Sequence, residues 1–134
     1  MAKLERRSKM FIDSHCHLNY PDFEEEGVGS VLARAREMGV SQALTINVKV
    51  SEYDQLIKLT DEHDMLDCTV GTHPHHAHEE DEMAVTKEKL IELAHHQRVI
   101  GIGETGLDYF YDTAPKEEQK ESLKKHIAAC LELD

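Results

Sequence analysis

The sequence predicts an α/β fold, a parallel sheet built from the first four units of a TIM-barrel type (β/α)8 architecture. Three observations predict it. Apolar runs alternate with segments of helical period along the chain. The alternation keeps the order strand, helix, strand, helix, which favours parallel strands joined by right-handed crossovers. The polar residues with chemistry fall just after the apolar runs: His15 and His17, then Asn47, then His73 and His75, then Glu104. In barrels and open parallel sheets alike, sites are built on that carboxyl edge. A full barrel takes about 250 residues, so a chain of 134 residues fits half of one.

Met10 to Ser14 reads as a buried strand. Val28 to Met38 puts Val28, Val31, Leu32, Ala35 and Met38 at helical spacing and ends at Gly39, a residue suited to the turn past a helix end. Ala43 to Val48 is the second strand. Ser51 is placed to cap a helix running to about His63, with Tyr53, Leu56, Ile57 and Leu59 as its apolar side. Leu66 to Gly71 is the third strand. A polar, histidine-rich loop covers Thr72 to about Glu82, and Glu79-Glu80-Asp81-Glu82 reads as a solvated turn. Thr86 to His95 is the third helix, with Thr86 and Lys89 in its first turn and Leu90, Leu93 and Ala94 as apolar positions. Val99 to Gly103 is the fourth strand. A loop through Pro115 leads to a last helix from Lys116 to about Leu133.

The formal net charge is −12. That excludes a basic clamp for nucleic acid. It leaves room for an anionic substrate, because a bound divalent cation can be the largest local charge in a site. Cys16, Cys68 and Cys130 form an odd set without framework spacing, as expected of reduced thiols in a cytoplasmic protein. Residues 1–9 carry Lys3, Arg6, Arg7 and Lys9 and are expected to be a disordered extension. The Arg6-Arg7 pair is not followed by an apolar stretch, as an export signal would be. No segment is long and apolar enough to cross a membrane. Residues 10–134 then make one unit.

His15 and His17 are spaced i, i+2, so in an extended backbone both rings project to one face. Two imidazoles side by side make half of a metal site. Asp13 shares that face and either orients a ligand or caps the strand. Cys16 points the other way and reads as a buried structural thiol. Glu104 lies in Gly101-Ile102-Gly103-Glu104-Thr105-Gly106, where flanking glycines permit close approach. A carboxylate there can bridge two divalent ions, which sit roughly 3.5–4 Å apart in two-metal hydrolases. Gly71-Thr72-His73-Pro74-His75-His76-Ala77-His78 is dense in histidine. His73 and His75 are expected to line the site, with His76 and His78 further out. His63, His95, His96 and His126 are expected to face solvent or complement helix ends. Asp108 either positions substrate or caps its loop. Tyr109, Phe110 and Tyr111 offer either stacking surface for nucleobases or loop anchors.

Ile12-Asp13-Ser14-His15-Cys16-His17-Leu18, Val70-Gly71-Thr72-His73-Pro74-His75 and Ile100-Gly101-Ile102-Gly103-Glu104-Thr105-Gly106-Leu107-Asp108-Tyr109 resemble, in order and spacing, the signatures of TatD-like metal-dependent deoxyribonucleases of the amidohydrolase superfamily. Asp112-Thr113-Ala114-Pro115 and the Glu- and Gln-rich helix after it are similar too. The resemblance covers nearly all of the chain from Met10 onward. It implies a barrel with two divalent ions (Mg, Mn or Zn) and hydrolysis of phosphodiesters, usually in DNA, as an exonuclease. It implies His15 and His17 as ligands of one metal and Glu104 as a catalytic carboxylate shared by both. His73, His75 and Tyr109 then face substrate, and Asp108 is the nearest catalytic acid or base. Family members continue into a strand ending in a ligand histidine, a further ligand histidine and a late aspartate, all expected beyond Asp134.

The expected partners are DNA or another phosphodiester, together with a complementing C-terminal half or a second copy in a homodimer. The alternative is a catalytically incomplete half-barrel that binds one metal or none, or oligomerises through exposed edges. Other hydrolases with paired histidines lack the run from Gly101 to Tyr109.

Overall fold

Strands form where apolar and β-branched residues run together, and here they pair in parallel in the order β1-β2-β3-β4. The computed structural model describes residues 10–133. The expected extension at 1–9 lies outside the described residues. β1 is Phe11–Cys16, β2 Val40–Thr45, β3 Leu66–Val70 and β4 Val99–Ile102. Helix α1 (Val28–Glu37) joins the first two strands and α2 (Tyr53–Glu62) the next two. The short α3 (Glu80–Met83) and α4 (Lys87–Ala94) lie between β3 and β4, and α5 (Lys116–Leu133) follows β4. Ladder partners Ala43↔Leu66 and Thr45↔Cys68 fix β2 on β3, and Val70↔Ile102 fixes β3 on β4.

The helices bury one side of this sheet in two clusters. One holds Leu18, Leu32, Ala43, Met65 and Leu66, the other Val50, Tyr53, Val70, Val85, Leu90 and Ala129. Among the described residues no helix is long and apolar enough to cross a membrane.

Several expectations are corrected. β1 is not buried: Phe11 is 52 % and Ile12 69 % exposed. It is an outer strand with a neighbour on one side, so its apolar run signals a strand without a cover. β2 starts and ends earlier than expected. Past Thr45 the backbone leaves the ladder, with Ile46 donating to the Cys16 carbonyl and Val48 accepting from His73. Ser51 does not cap α2; it sits inside a 3-10 turn, Val50–Glu52, that leads into the helix. The Thr72–Glu82 loop holds a 3-10 turn, Pro74–His76, and helix α3. Thr86 does cap α4, its hydroxyl accepting the Lys89 N–H at 3.1 Å.

Candidate functional site

The carboxyl ends of all four strands converge, and backbone bonds knit them. Asn47, fully buried, takes the Gly71 N–H on Oδ1 at 3.1 Å, and its own carbonyl takes the Glu104 N–H at 2.9 Å. The residues after β2, β3 and β4 are thus held as one block. Gly71 allows the closeness: a Cβ there would lie 2.6 Å from the Gly103 carbonyl carbon.

On this block stand the side chains. His15, His17 and Glu104 offer ligand atoms that all lie within 4.8 Å of one another. His15 Nε2 is 3.7 Å and His17 Nε2 3.9 Å from the same carboxylate oxygen of Glu104. Both separations are too long for direct hydrogen bonds. They suit groups that share a cation instead. The chemistry of the set fits as well. His17 Nδ1 lies 3.2 Å from the Ile46 carbonyl, which can only accept. Nδ1 therefore carries the proton, and Nε2 presents its lone pair toward Glu104. Tyr20 stacks on the outer side of His17, ring centroids 5.0 Å apart. Asp13 spends its carboxylate on the His15 backbone N–H at 3.1 Å, inside β1 where the ladder with β2 is irregular. Cys16 is half-buried; burial, with Asp13 adding, pushes its thiol up to about 11, and it donates to the Leu44 carbonyl.

His73 is of the opposite tautomer. Its Nδ1 accepts the His75 backbone N–H at 3.1 Å, so the proton of the neutral ring sits on Nε2, 3.8 Å from the other oxygen of Glu104. Burial lowers its pKa and keeps the ring neutral, against the pull of Glu104. His75 Nε2 meets Asp108 Oδ2 at 2.7 Å. Asp108 also receives the backbone N–H of Phe110 and Tyr111, and these bonds with His75 hold its carboxyl below the ordinary range. Tyr109 is partly claimed: Lys116 lies over its ring at 4.8 Å. Tyr111 meets the edge of His75, and Phe110 is exposed. A cavity of about 210 Å³ is lined by His17, Tyr20, Val48, His73, His75, His76 and Glu104.

The family model described as TatD related DNase matches residues 12–134. The chain belongs to the TatD family. The uncharacterized metal-dependent hydrolase YcfH of Escherichia coli K12 is 36 % identical over 125 residues, covering 92 % of this chain and 46 % of the relative. The 3'-5' ssDNA/RNA exonuclease TatD of Erwinia tasmaniensis is 37 % identical over 105 residues, covering 77 % of this chain and 39 % of the relative. The crystal structure of YJJV, a TatD homologue from Escherichia coli K12, superposes with a TM-score of 0.77 at 25 % identity, covering 90 % of this chain and 46 % of that one. The chain spans about half the length of the curated relatives it matches. Its four parallel strands with their helices are accordingly part of a TIM-type barrel.

Three buried groups were missed by sequence reasoning. Glu82, expected in a solvated turn, is 3 % exposed and accepts the N–H of Val50 and Ser51 and the hydroxyl of Thr72. His126, expected to face solvent or complement a helix end, is 2 % exposed in mid-helix and accepts the Thr72 N–H at 2.9 Å. Gln119 takes the Asp108 N–H on Oε1 and donates to the carbonyls of Asp108 and Ala114. Gln119, Ser122, His126 and Ala129 recur at helical spacing on the buried side of α5. That spacing was the available signal, hidden because three of the four are polar.

Proposed function

We propose that these residues belong to a divalent-metal-dependent hydrolase of phosphodiester bonds, acting as an exonuclease on single-stranded DNA. The observation that carries the reading is the meeting of His15, His17 and Glu104 within 4.8 Å from opposite outer strands of the sheet. The likeness to a relative named 3'-5' ssDNA/RNA exonuclease supports the substrate class.

His15, His17 and Glu104 would hold the metal. When bound, divalent ions supply a low-pKa water and positive charge to offset that of a phosphodiester in its transition state. The remaining chemistry is the chain's own. His17 keeps its lone pair aimed inward because Ile46 holds the other ring nitrogen. His73 turns an N–H toward the cavity, a donor suited to a phosphate oxygen. Asp108 orients His75 and keeps its carboxylate on that ring and on the turn at Phe110 and Tyr111, so it acts as a positioning residue. Tyr109 anchors its loop through Lys116 and leaves the more exposed Phe110 and Tyr111 as the surfaces nearest in kind to a base platform.

The test is manganese-dependent cleavage of a single-stranded oligonucleotide by the wild type, His15→Ala and Glu104→Ala. Loss of cleavage in both variants supports the reading, and equal cleavage by all three proteins overturns it.

A second reading, a half-barrel that associates through its edges, is favoured by the outer strands. Phe11, Ile12 and Ile100 are exposed on β1 and β4. Unpaired edges of that kind recruit further strands. Light scattering after size exclusion decides it: a homodimer supports association, and a monomer with cooperative unfolding rejects it.

A further inference from the structure

Thr72 is the residue before His73, and nothing in the proposed chemistry uses it. It is nonetheless gripped at both of its donors. Its N–H goes to His126 Nε2 at 2.9 Å and its hydroxyl to Glu82 Oε2 at 2.5 Å. All three residues are buried, with Thr72 1 % exposed. His126 can accept there only because its Nδ1–H is spent on the Ser122 carbonyl at 2.7 Å, one turn back in α5. Glu82 is fixed in turn by the N–H groups of Val50 and Ser51, at 2.9 and 3.0 Å. One threonine therefore ties the loop after β3 to α3, to the turn before α2 and to α5.

We propose that Thr72, clamped between Glu82 and His126, is a positioning residue that sets where the His73 ring stands beside Glu104 and the His75 ring beside Asp108. The reading rests on the hydrolase proposal for its purpose and on the hydrogen bonds for its geometry. The chain from Thr72 to the rings is short. The His73 N–H is pinned on the Val48 carbonyl at 2.9 Å. The His73 ring then accepts the His75 N–H, and the His75 ring meets Asp108. A shift of the backbone at Thr72 would reach the His73 ring across a single peptide bond, next to the turn whose His75 N–H selects the tautomer. Neither of the two residues that hold Thr72 is among those lining the cavity at Glu104.

The experiment compares wild type with Thr72→Val and Thr72→Ser. Valine keeps the shape and removes the hydroxyl, whereas serine keeps the hydroxyl. Long-range proton–nitrogen NMR of the imidazoles reads the tautomers with neither metal nor nucleic acid added. In wild type and T72S, His73 is expected as a fixed Nε2–H tautomer. In T72V its nitrogen shifts are expected to move toward the average of two tautomers. Manganese affinity should stay within two-fold throughout, because His15 and His17 are untouched.

Cleavage of a single-stranded oligonucleotide should show KM raised more than kcat falls in T72V, with rescue in T72S. Identical His73 and His75 shifts in T72V and wild type would overturn the proposal. Should T72V not fold, His126→Leu removes the acceptor of the Thr72 N–H, together with the bond to the Ser122 carbonyl, leaves the Thr72–Glu82 bond in place and is judged by the same shifts. The ring shifts decide the clamp whether or not the wild type cleaves.

Discussion

His17 donates from Nδ1 to the Ile46 carbonyl at 3.2 Å, and this bond decides which ring nitrogen faces Glu104. The acceptor is a backbone atom just past β2, so the orientation of a β1 ligand is set by its neighbouring strand. Metal ligands are commonly fixed by such outer bonds, and losing one costs about 10–100-fold in affinity. Losing the ring itself is expected to do at least that. Calorimetric titration with manganese or zinc should show His17→Ala and Glu104→Gln each binding at least about 10-fold more weakly than wild type. Unchanged affinity in both would remove these residues from the metal site.

Gly71 makes a second prediction. A methyl group at this position meets three backbone atoms of Gly103 at 2.6–2.8 Å, and backbone cannot swing aside as a flexible side chain can. Gly71→Ala is expected to destabilise by about 1–3 kcal/mol, as overpacking does elsewhere. Urea unfolding measures this. Gly103 precedes Glu104, so the same variant should also weaken metal binding. A change confined to stability would show that the strain is absorbed on the Gly71 side.

Glu82 is held by donors rather than by a cation. Glu82→Ala would strand the Val50 N–H and the Thr72 hydroxyl in the interior and free the part-buried Ser51 N–H. Each orphaned buried group costs about 1–3 kcal/mol. The expected loss is therefore about 2 kcal/mol or more, seen as a lower urea midpoint. Glu82→Gln keeps one acceptor oxygen and should lose less. An alanine variant as stable as wild type would mean that water enters and satisfies all three donors.

The alternation of strands and helices was legible because periodicity reports burial of apolar faces, and those faces are the two cores. The meeting of His15, His17 and Glu104 was legible because residues after parallel strands share one edge of the sheet. Pattern reasoning failed where polar groups are buried. Glu82 and His126 look like surface residues in sequence, because the Thr72 groups they bind lie 10 and 54 positions away. For His126 the helical spacing with Gln119, Ser122 and Ala129 was the one local signal. β1 failed in the opposite sense: its apolar run marks a strand, while its exposure depends on what lies beside it in space. For Tyr109 the sequence leaves stacking surface and loop anchor both open, and it does not show that Lys116 lies over the ring.

Those buried partners make stability depend on pH. His126 is neutral in the fold, its pKa pushed below the usual 6.5 chiefly by burial, with the Ser122 carbonyl and Glu82 working the other way and Lys125 adding to burial. In the unfolded chain the same ring takes a proton at about 6.5. As pH falls through that value the unfolded state binds a proton that the folded state refuses, so stability falls. The contribution is fully present above the unfolded pKa and is lost progressively as pH drops toward the folded one. One such group gives a slope of at most about 1.4 kcal/mol per pH unit. Protonation would also remove the acceptor of the Thr72 N–H, so the clamp and the slope share one cause. His126→Gln can offer an amide oxygen to Thr72 and cannot titrate. Urea unfolding at pH 7.5, 6.5 and 5.5 is expected to show the wild type losing more stability than H126Q across the series. Parallel losses in the two proteins would place the acid sensitivity in other groups.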